Sequence, residues 1–343
     1  MSAHDGLIQL AHGSGSGLMR RLIAEVFHGR LADEELARCG DSAVLAPPQG
    51  LGPGARLAFT TDSYVISPLE FPGGDIGKLA VCGTVNDLAA VGARPLWMSA
   101  GWILEEGLPV ETLERLVDSM AATAREAGVR VVTGDTKVVP RGLADGAYVN
   151  TSGVGLVPEG RDLGPGRLAD GDAILVNGTL GDHGIAVLLQ REGISMSSDL
   201  RSDCACLHAL VEALFEVGVE VHSLRDATRG GLAGVLCELA QASGLGMEVQ
   251  EAELPVREEV AAAGEILGLD PMFVANEGKM VAFVAGVDAS RALAAWSAHE
   301  LGSQAAIVGR VTVEHPGLVV ARTPLGTGRI VRVPMGELLP RIC

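Results

Sequence analysis

In the first half of the chain, segments with the hydrophobic pattern of strands alternate with segments that have the hydrophobic pattern of helices. Apolar residues at three- and four-residue spacings, from Leu113 to Ala124, predict a helix over residues 110–127 that ends at Gly128. Shorter apolar runs predict strands, and a stretch of small residues predicts a second helix. The predicted strands are residues 56–61, 96–104, 129–133 and 146–157, and the second predicted helix is residues 77–91.

Residues 158–172 interrupt this pattern, because they are rich in glycine, proline and aspartate and have no periodicity. We expect a hinge there, between an N-terminal domain of residues 1–157 and a C-terminal domain of residues 173–325. The second unit again alternates strand-like and helix-like stretches, so the pattern predicts a two-domain α/β fold. Its predicted strand is residues 173–176, its predicted helices are residues 185–190, 207–217 and 231–243, and residues 326–343 are predicted to form an extended tail.

The charge and composition of the chain exclude several classes of protein. The chain has 343 residues, with 43 acidic against 26 basic side chains and a net charge of −17. Nucleic acids and anionic membranes attract basic surfaces, so we expect neither as a partner. A composition that is 48% apolar excludes wholesale disorder. The longest apolar runs, such as residues 280–287, predict buried strands and are too short to cross a bilayer.

The six cysteines contain no CxxC pair. Because no export signal is recognisable, we expect reduced thiols and a cytoplasmic location. Cys204 and Cys206, with His208, resemble part of a metal site, but no second pair has zinc-site spacing and a helix start is the favoured interpretation. Cys343 stands apart, because a thiol at the last position has little use in packing. It is either a fortuitous terminal cysteine or a swinging nucleophile that carries a chemical group.

Acidic residues beside small or polar ones stand at the ends of several apolar runs. One such residue is more often a turn or a helix cap, but five together suggest a site for a hard cation. Mg²⁺ prefers carboxylate oxygens and bridges to nucleotide phosphates, so an acidic protein that binds a nucleotide needs such a cation. The candidates are Asp41, Asp62, Asp87 with its neighbour Asn86, Asp135 and Asp226.

Three other features are candidates for binding or catalysis. Gly13, Gly15 and Gly17 would offer backbone N–H groups to a phosphate, and the alternative is a terminal segment with no binding role. Lys137 stands two residues after Asp135 at the end of a predicted strand, where a surface lysine is equally expected. Glu277 follows an apolar run in VANEGKM, and a lone glutamate there is more often structural.

Seven segments spread along the chain carry a family resemblance. In order, they are LAHGSGSG, TTDSYVISPLEFPGGDIGKLAVCGTVNDLAAVGA, VVTGDTKVV, GTLGDHGIAV, RDATRGGLAGVLCELA, GLDPMFVANEGKM and the terminal PRIC. Together they resemble the HypE family, the carbamoyl dehydratases of nickel–iron hydrogenase maturation. The resemblance covers essentially the whole chain, and PRIC is its most specific motif. The wider superfamily includes aminoimidazole ribonucleotide synthetase, selenophosphate synthetase and thiamine monophosphate kinase.

This resemblance implies a fold and a set of partners. The fold is a two-domain α/β fold of the aminoimidazole ribonucleotide synthetase type, whose N-terminal domains pair into a β-barrel across a homodimer. The implied cofactors are ATP and Mg²⁺. The implied partners are the carbamoyltransferase HypF, which loads a carbamoyl group onto the terminal thiol, and the HypC–HypD complex, which receives the cyano group on iron.

The resemblance also implies roles for individual residues. Cys343 matches the carrier thiol, and Lys137 and Glu277 match polar groups near the carbamoyl nitrogen. Asp41, Asp62, Asp87, Asp135 and Asp226 match the carboxylates around Mg²⁺ and ATP. The implied reaction is the ATP-dependent dehydration of S-carbamoyl-cysteine to a thiocyanate. Two alternatives stay open, namely a sister enzyme such as a selenophosphate synthetase or a small-molecule kinase, and a non-catalytic carrier that presents Cys343.

Overall fold

Two β-sheets with helices packed on them organise the described part of the chain. The computed structural model describes residues 7–8, 22–31, 54, 56–194, 199–332 and 342–343. A π-helical segment, Ile23–His28, runs into the short helix Gly29–Leu31. The elements that follow in the first half are β1 Arg56–Tyr64, β2 Glu70–Phe71, β3 Gly74–Asp75, α1 Ile76–Ala90, β4 Arg94–Glu105, α2 Val110–Glu126, β5 Arg130–Val139 and β6 Ala147–Val157.

The first sheet has the strand order β1-β6-β4-β5, and only β4 and β5 run parallel to each other. Helices α1 and α2 pack on one face of it. In α2, Leu113, Leu116 and Val117 are fully buried at the spacings that the sequence shows. The helix predicted over residues 110–127 is therefore confirmed as Val110–Glu126.

Glycines allow α1 to approach its neighbours closely. The helix begins after Asp75, whose Oδ1 accepts the N–H groups of Gly77 at 2.7 Å and Lys78 at 3.0 Å. A Cβ on Gly77 would lie 2.0 Å from the carbonyl oxygen of Leu116, and a Cβ on Gly83 would lie 2.3 Å from the hydroxyl oxygen of Tyr64. These small residues therefore let α1 lie against both α2 and β1.

The second sheet contains seven strands in the order β13-β12-β9-β11-β7-β10-β8. Its elements are β7 Ala173–Val176, α3 Asp182–Arg191, α4 His208–Glu216, β8 Val221–Asp226, α5 Gly231–Ser243, β9 Gly246–Gln250, α6 Glu258–Leu267, β10 Met280–Val284, α7 Ala289–Ser297, β11 Ala306–Thr312, β12 Val319–Arg322 and β13 Gly328–Val331. Single 3₁₀ turns occur at Pro165–Arg167, Glu251–Glu253, Pro271–Phe273, Gly286–Asp288 and Glu300–Gly302. Every residue of β7 and β10 is buried, because helices cover both faces of the sheet.

The predicted α/β fold is confirmed, and two predicted segments differ from the structure. Strand β5 continues to Val139 instead of ending at residue 133, because residues 134–139 pair with residues 100–105 of β4. Strand β13 forms within the predicted tail, because it pairs with β12. The pattern did not predict β8, β9, α6, α7, β11 or β12. The domain boundaries and the hinge stay predictions. None of the described helices is long and apolar enough to span a membrane.

Candidate active site

The C-terminal residues lie inside the protein. The side chain of Ile342 is 2% exposed in the core of the first sheet, and Cys343 packs against the same core. The N–H of Val65 donates to a terminal oxygen of Cys343 at 3.1 Å. The Nε2 atom of His183 lies 2.8 Å from the carbonyl oxygen of Ile342. The predicted carrier thiol is therefore docked between the end of β1 and the start of α3.

The side chain of Glu277 is the acidic neighbour of this thiol. It is 3% exposed, and its Oε1 has no hydrogen-bond partner among the described residues. Burial, with the charges of Cys204 and Asp226, raises the pKa of Glu277 well above its ordinary value. Burial and Glu277 likewise raise the pKa of the Cys343 thiol, while Arg229 opposes that rise. The docked site therefore favours the protonated form of both groups, and it makes Glu277 a stronger base when ionised.

A buried ion pair fixes the loop that carries Glu277. Oδ2 of Asp203 accepts a hydrogen bond from Nζ of Lys279 at 2.8 Å. The same carboxylate accepts the N–H groups of Glu277 at 3.1 Å and Gly278 at 3.2 Å. Although burial favours the neutral form of Asp203, Lys279 holds the pKa of Asp203 below its ordinary value. The backbone at Glu277 is thus held by charge-assisted hydrogen bonds.

Three of the predicted carboxylates lie close enough to repel one another. Oγ1 of Thr60 donates to Oδ2 of Asp87 at 2.8 Å. Burial first, and then the charge of Asp62, raise the pKa of Asp87. Burial, with Asp87 and Asp62, raises the pKa of Asp226 to about 6. Asp87 and Asp226 line a cleft of about 310 Å³ between β1, α1 and β8. A group of carboxylates that repel one another suits a hard cation.

Arg229 is a site residue that sequence reasoning missed. Its guanidinium interacts most strongly with Cys343, and also with Asp62 and Glu277, which raise its pKa. Arg229 precedes two glycines in left-handed conformations, Gly230 with φ +79 and Gly231 with φ +59. The RGG turn at the start of α5 was visible in the sequence, but nothing local indicated that its arginine faces the distant C-terminus. The turn therefore supplies a cationic group whose charge acts on the docked thiol.

Asp135 and Lys137 lie away from this cluster within one chain. Both belong to β5, their side chains are 63% and 59% exposed, and they form an ion pair at 2.9 Å. The intervening Thr136 is 3% exposed and faces the helices. Strand pairing places Asp62 on the face of Gly134 and Thr136, which is the opposite face from Asp135. The first sheet therefore separates Asp135 and Lys137 from Asp62.

Asn86 joins the two halves of the site through its amide. Its Nδ2 donates to the carbonyl oxygen of Ala205 at 3.0 Å, and its Oδ1 accepts the N–H of Leu207 at 2.7 Å. The structure therefore places Asn86 in a buried contact between α1 and the segment before α4. The remaining predicted residues, Gly13, Gly15, Gly17 and Asp41, lie outside the described residues.

A cluster of thiols lies behind Glu277. Helix α4 begins at His208, after Cys204 and Cys206, as the favoured interpretation predicted. The Sγ atom of Cys206 lies 3.6 Å from the Sγ atom of Cys82, and burial among these thiols raises the pKa of Cys82. Within the described ranges, only one group of three His, Cys, Asp or Glu side chains has its possible metal-ligand atoms close together. It consists of Glu248, Glu314 and His315 and does not include these thiols. Arg310 and Arg322 already pair with Glu248, which disfavours a cation there.

Similar proteins are found along the whole chain. The family model for AIR synthase related protein, N-terminal domain, matches residues 39–157, and the model for its C-terminal domain matches residues 169–321. The carbamoyl dehydratase HypE of Rhodobacter capsulatus is 52% identical over 346 residues, covering 100% of this chain and 100% of that protein. The likeness in sequence is therefore continuous from one end of the chain to the other.

Solved structures show the same likeness in three dimensions. A crystal structure of the hydrogenase maturation protein HypE in complex with ATP has a TM-score of 0.92 at 45% identity, covering 97% of this chain and 99% of that one. A crystal structure of a HypE–HypF complex has a TM-score of 0.79 at 45% identity, covering 91% of this chain and 99% of that one. The two sheets, with their helices, are therefore arranged as in these relatives.

Proposed function

Since the chain belongs to the HypE carbamoyl dehydratases of the AIR synthase related family, we propose that Cys343 carries the carbamoyl group that the enzyme converts, with ATP, into a thiocyanate. The observation that carries this proposal is the docking of Cys343 beside the buried carboxyl group of Glu277. The thiocyanate would supply the cyanide ligands of the nickel–iron hydrogenase centre.

The reaction removes one water from an S-bound carbamoyl group. The carbamoyl oxygen attacks the γ-phosphorus of ATP, ADP leaves, and that oxygen becomes part of a phosphate leaving group. Both N–H protons must leave before the carbon–oxygen bond is fully broken and the carbon–nitrogen triple bond is complete. Glu277 is the proposed base for one of these protons, because burial raises the proton affinity of its carboxylate, and the departing phosphate can carry away the other. A water-free site protects the activated group from hydrolysis, and the buried position of Ile342 favours one.

Asp62, Asp87 and Asp226 are the proposed carboxylate ligands of Mg²⁺, and a bound cation would draw their oxygens together, because in the described structure they do not all lie within 4.8 Å of one another. Their oxygens are hard ligands, and burial with mutual repulsion raises the pKa values of Asp87 and Asp226 although nearby arginines oppose part of the rise. When bound there, Mg²⁺ would neutralise charge on the phosphates of ATP. The ATP complex of the HypE relative supports the nucleotide itself. Asp41 and the three N-terminal glycines remain predicted ligands, as the sequence resemblance implied.

The outer face of the first sheet suits a homodimer. Leu57 is 66% exposed, Phe59 is 73% exposed and Ile103 is 43% exposed, and strand pairing places all three on the face opposite the helices. An exposed apolar sheet face favours the β-barrel pairing that the resemblance implied. Lys137 and Asp135 lie on the same face, so they would act at the interface with a second copy of the chain.

Partners follow from the need to load and unload the thiol. The complex of the HypE relative with HypF supports a HypF-type carbamoyltransferase as the donor. The HypC–HypD complex remains the predicted acceptor of the cyano group. Both steps need Cys343 to leave its docked position, because the residue packs there against the core of the first sheet and is only partly exposed.

ATP turnover separates this proposal from a non-catalytic carrier. The protein is loaded by its HypF-type carbamoyltransferase, purified and mixed with Mg²⁺ and ATP. We expect one ADP to form for each loaded thiol, and Cys343→Ser to form none above the background rate. ADP release that is the same with and without the carbamoyl group would contradict the coupling of ATP to the carbamoyl group on Cys343.

A further inference from the structure

His183 is buried beside the C-terminus and contacts the backbone of the tail. Its side chain is fully buried in α3, and its ring meets Phe71 edge-on with centroids 5.4 Å apart. Nε2 of His183 lies 2.8 Å from the carbonyl oxygen of Ile342, and Nδ1 lies 2.8 Å from Oγ of Ser202. Oγ of Ser202 also accepts the N–H of Cys204 at 3.1 Å. These contacts form one chain of hydrogen bonds from the backbone at Cys204 to the backbone at Ile342.

The direction of each hydrogen bond follows from what each atom can do. The carbonyl oxygen of Ile342 only accepts, so Nε2 of His183 must carry a hydrogen. Burial lowers the pKa of His183, so the ring is neutral and Nδ1 carries no hydrogen. The hydroxyl of Ser202 accepts the N–H of Cys204 and donates its own hydrogen to Nδ1. Ser202 thus selects the tautomer of His183 that can hold the tail.

From this geometry we infer that His183 and Ser202 are positioning residues, which seat Cys343 beside Glu277 for dehydration. The inference rests on the proposed function. His183 holds the carbonyl group just before Cys343, and the N–H of Val65 holds a terminal oxygen just after its Cα. The two hydrogen bonds bracket the carrier residue and leave its side chain facing Glu277. Neither contact uses the thiol, so both are available when the thiol is carbamoylated.

Losing the hydrogen bond between His183 and Ile342 raises the population of undocked tails and lowers the population of docked ones. Loading by the carbamoyltransferase requires the thiol to be outside, whereas dehydration requires it to be inside. Losing one hydrogen bond of ordinary strength shifts the ratio of docked to undocked tails roughly three- to tenfold toward the undocked state. Loading is therefore expected to be unchanged or faster and dehydration of the loaded thiol unchanged or slower, and the product of the two changes equals the shift in the ratio.

The test compares His183→Ala and Ser202→Ala with controls that keep the donors. Ser202→Thr keeps the hydroxyl group, and His183→Gln keeps an N–H that can reach the carbonyl oxygen of Ile342. The first readout is the alkylation rate of Cys343 by iodoacetamide in the full-length protein, followed by mass spectrometry of the C-terminal peptide. The second is the single-turnover rate of water loss from the carbamoyl-loaded protein with Mg²⁺ and ATP.

We expect the two alanine variants to alkylate faster and to dehydrate more slowly, and the two factors multiplied together should be roughly three- to tenfold. The two controls should stay close to the wild type. Unchanged alkylation and dehydration in Ser202→Ala would overturn the inference, and so would slower loading together with slower dehydration. Ser202→Ala decides the question if His183→Ala fails to fold. The alkylation readout needs no catalysis, so a wild type that never dehydrates would refute the proposed function and leave this inference to be judged by alkylation alone.

Discussion

Glu277 derives its chemistry from its surroundings. A carboxyl group exposed to water is ionised at neutral pH and is a weak base, whereas burial disfavours the charged form. Here the groups that raise the pKa of Glu277 after burial are Cys204 and Asp226. The ion pair between Asp203 and Lys279 fixes the backbone without neutralising the Glu277 side chain. Burial therefore gives Glu277 a high proton affinity while its position stays fixed.

Replacing Glu277 with Gln tests its role as the base. The substitution keeps the shape and hydrogen-bonding capacity of the side chain and removes the proton acceptor. We expect carbamoyl loading to be unchanged and single-turnover dehydration to fall by about 10²- to 10⁴-fold, as for other general bases. Quenched-flow mass spectrometry of the loaded C-terminal peptide measures both. Dehydration by E277Q at the wild-type rate would remove Glu277 from proton transfer.

Because the pKa of Asp226 is raised, we expect this residue to destabilise the folded protein increasingly as the pH rises. The pKa rises from 3.8 to about 6 on folding, so the folded protein binds the proton more tightly than the unfolded chain. The stability contributed by this group is complete below pH 3.8 and is lost as the pH rises through about 6. Without divalent cations, Asp226→Asn should therefore raise the free energy of unfolding above that pH by roughly 1–3 kcal/mol.

Mg²⁺ provides the control for this prediction. If Asp226 helps to hold the cation, added Mg²⁺ should stabilise the wild type and have a smaller effect on Asp226→Asn. Urea unfolding at about pH 4 and about pH 8, with and without Mg²⁺, measures both effects. An equal response of the two proteins to Mg²⁺ would exclude Asp226 as a ligand.

At the scale of single elements, local periodicity predicts some features well and others not at all. Helices α2 and α5 and strand β7 were predicted almost to the residue, because their apolar spacing is undisturbed. Strand β5 was predicted too short, because Gly134 and Asp135 look like a turn in the sequence although they lie within the strand. Whether such a residue is in a turn or in a strand depends on pairing with β4, which local sequence does not record.

The turn before α5 allows a matched pair of substitutions. Gly231 has φ +59, and a Cβ there would lie 2.6 Å from the carbonyl oxygens of Met272 and Val274. Gly244, at the other end of the same helix, has φ +72 and nothing within 4 Å of such a Cβ. In both alanine variants the free energy of unfolding falls by about 1–2 kcal/mol, because alanine is strained in a left-handed backbone conformation. Only Gly231→Ala also forces a steric clash.

We therefore expect Gly231→Ala to unfold at a clearly lower temperature than Gly244→Ala and to bind ATP more weakly. The weaker binding would follow from displacement of Arg229, which precedes the turn and whose charge acts on Asp87 in the proposed Mg²⁺ and ATP site. Thermal unfolding and nucleotide titration of the two variants provide the comparison. Equal losses of stability would show that the turn can relax and that the close contacts at Gly231 do not fix Arg229.

At the scale of the whole molecule, the candidate site gathers residues from positions far apart in the sequence. Asp62, Asp87, Arg229, Glu277 and Cys343 meet only because α1 lies between the two sheets and the C-terminus returns to the first. The family resemblance pointed to four of them. The docked tail, and Arg229 beside it, required the fold, because no local pattern shows where a chain end returns.

The predicted homodimer can be tested on the outer face of the first sheet. Phe59→Glu places a charge at the most exposed of these three apolar side chains, so we expect it to convert a dimer into a monomer. Val287→Glu is the matched control, because Val287 is 93% exposed and lies outside that sheet. Light scattering coupled to size-exclusion chromatography measures the mass of each variant. A dimeric Phe59→Glu, or a monomeric wild type, would contradict pairing through this face.

The central claim is that one thiol carries the group and that its own protein dehydrates that group. The most direct measurement is the mass of the C-terminal peptide of the carbamoyl-loaded wild type before and after addition of Mg²⁺ and ATP. We predict the loss of one water from Cys343 in the wild type and no loss without ATP. A carbamoyl group that stays on Cys343, unchanged in mass while ATP is present, would contradict the claim.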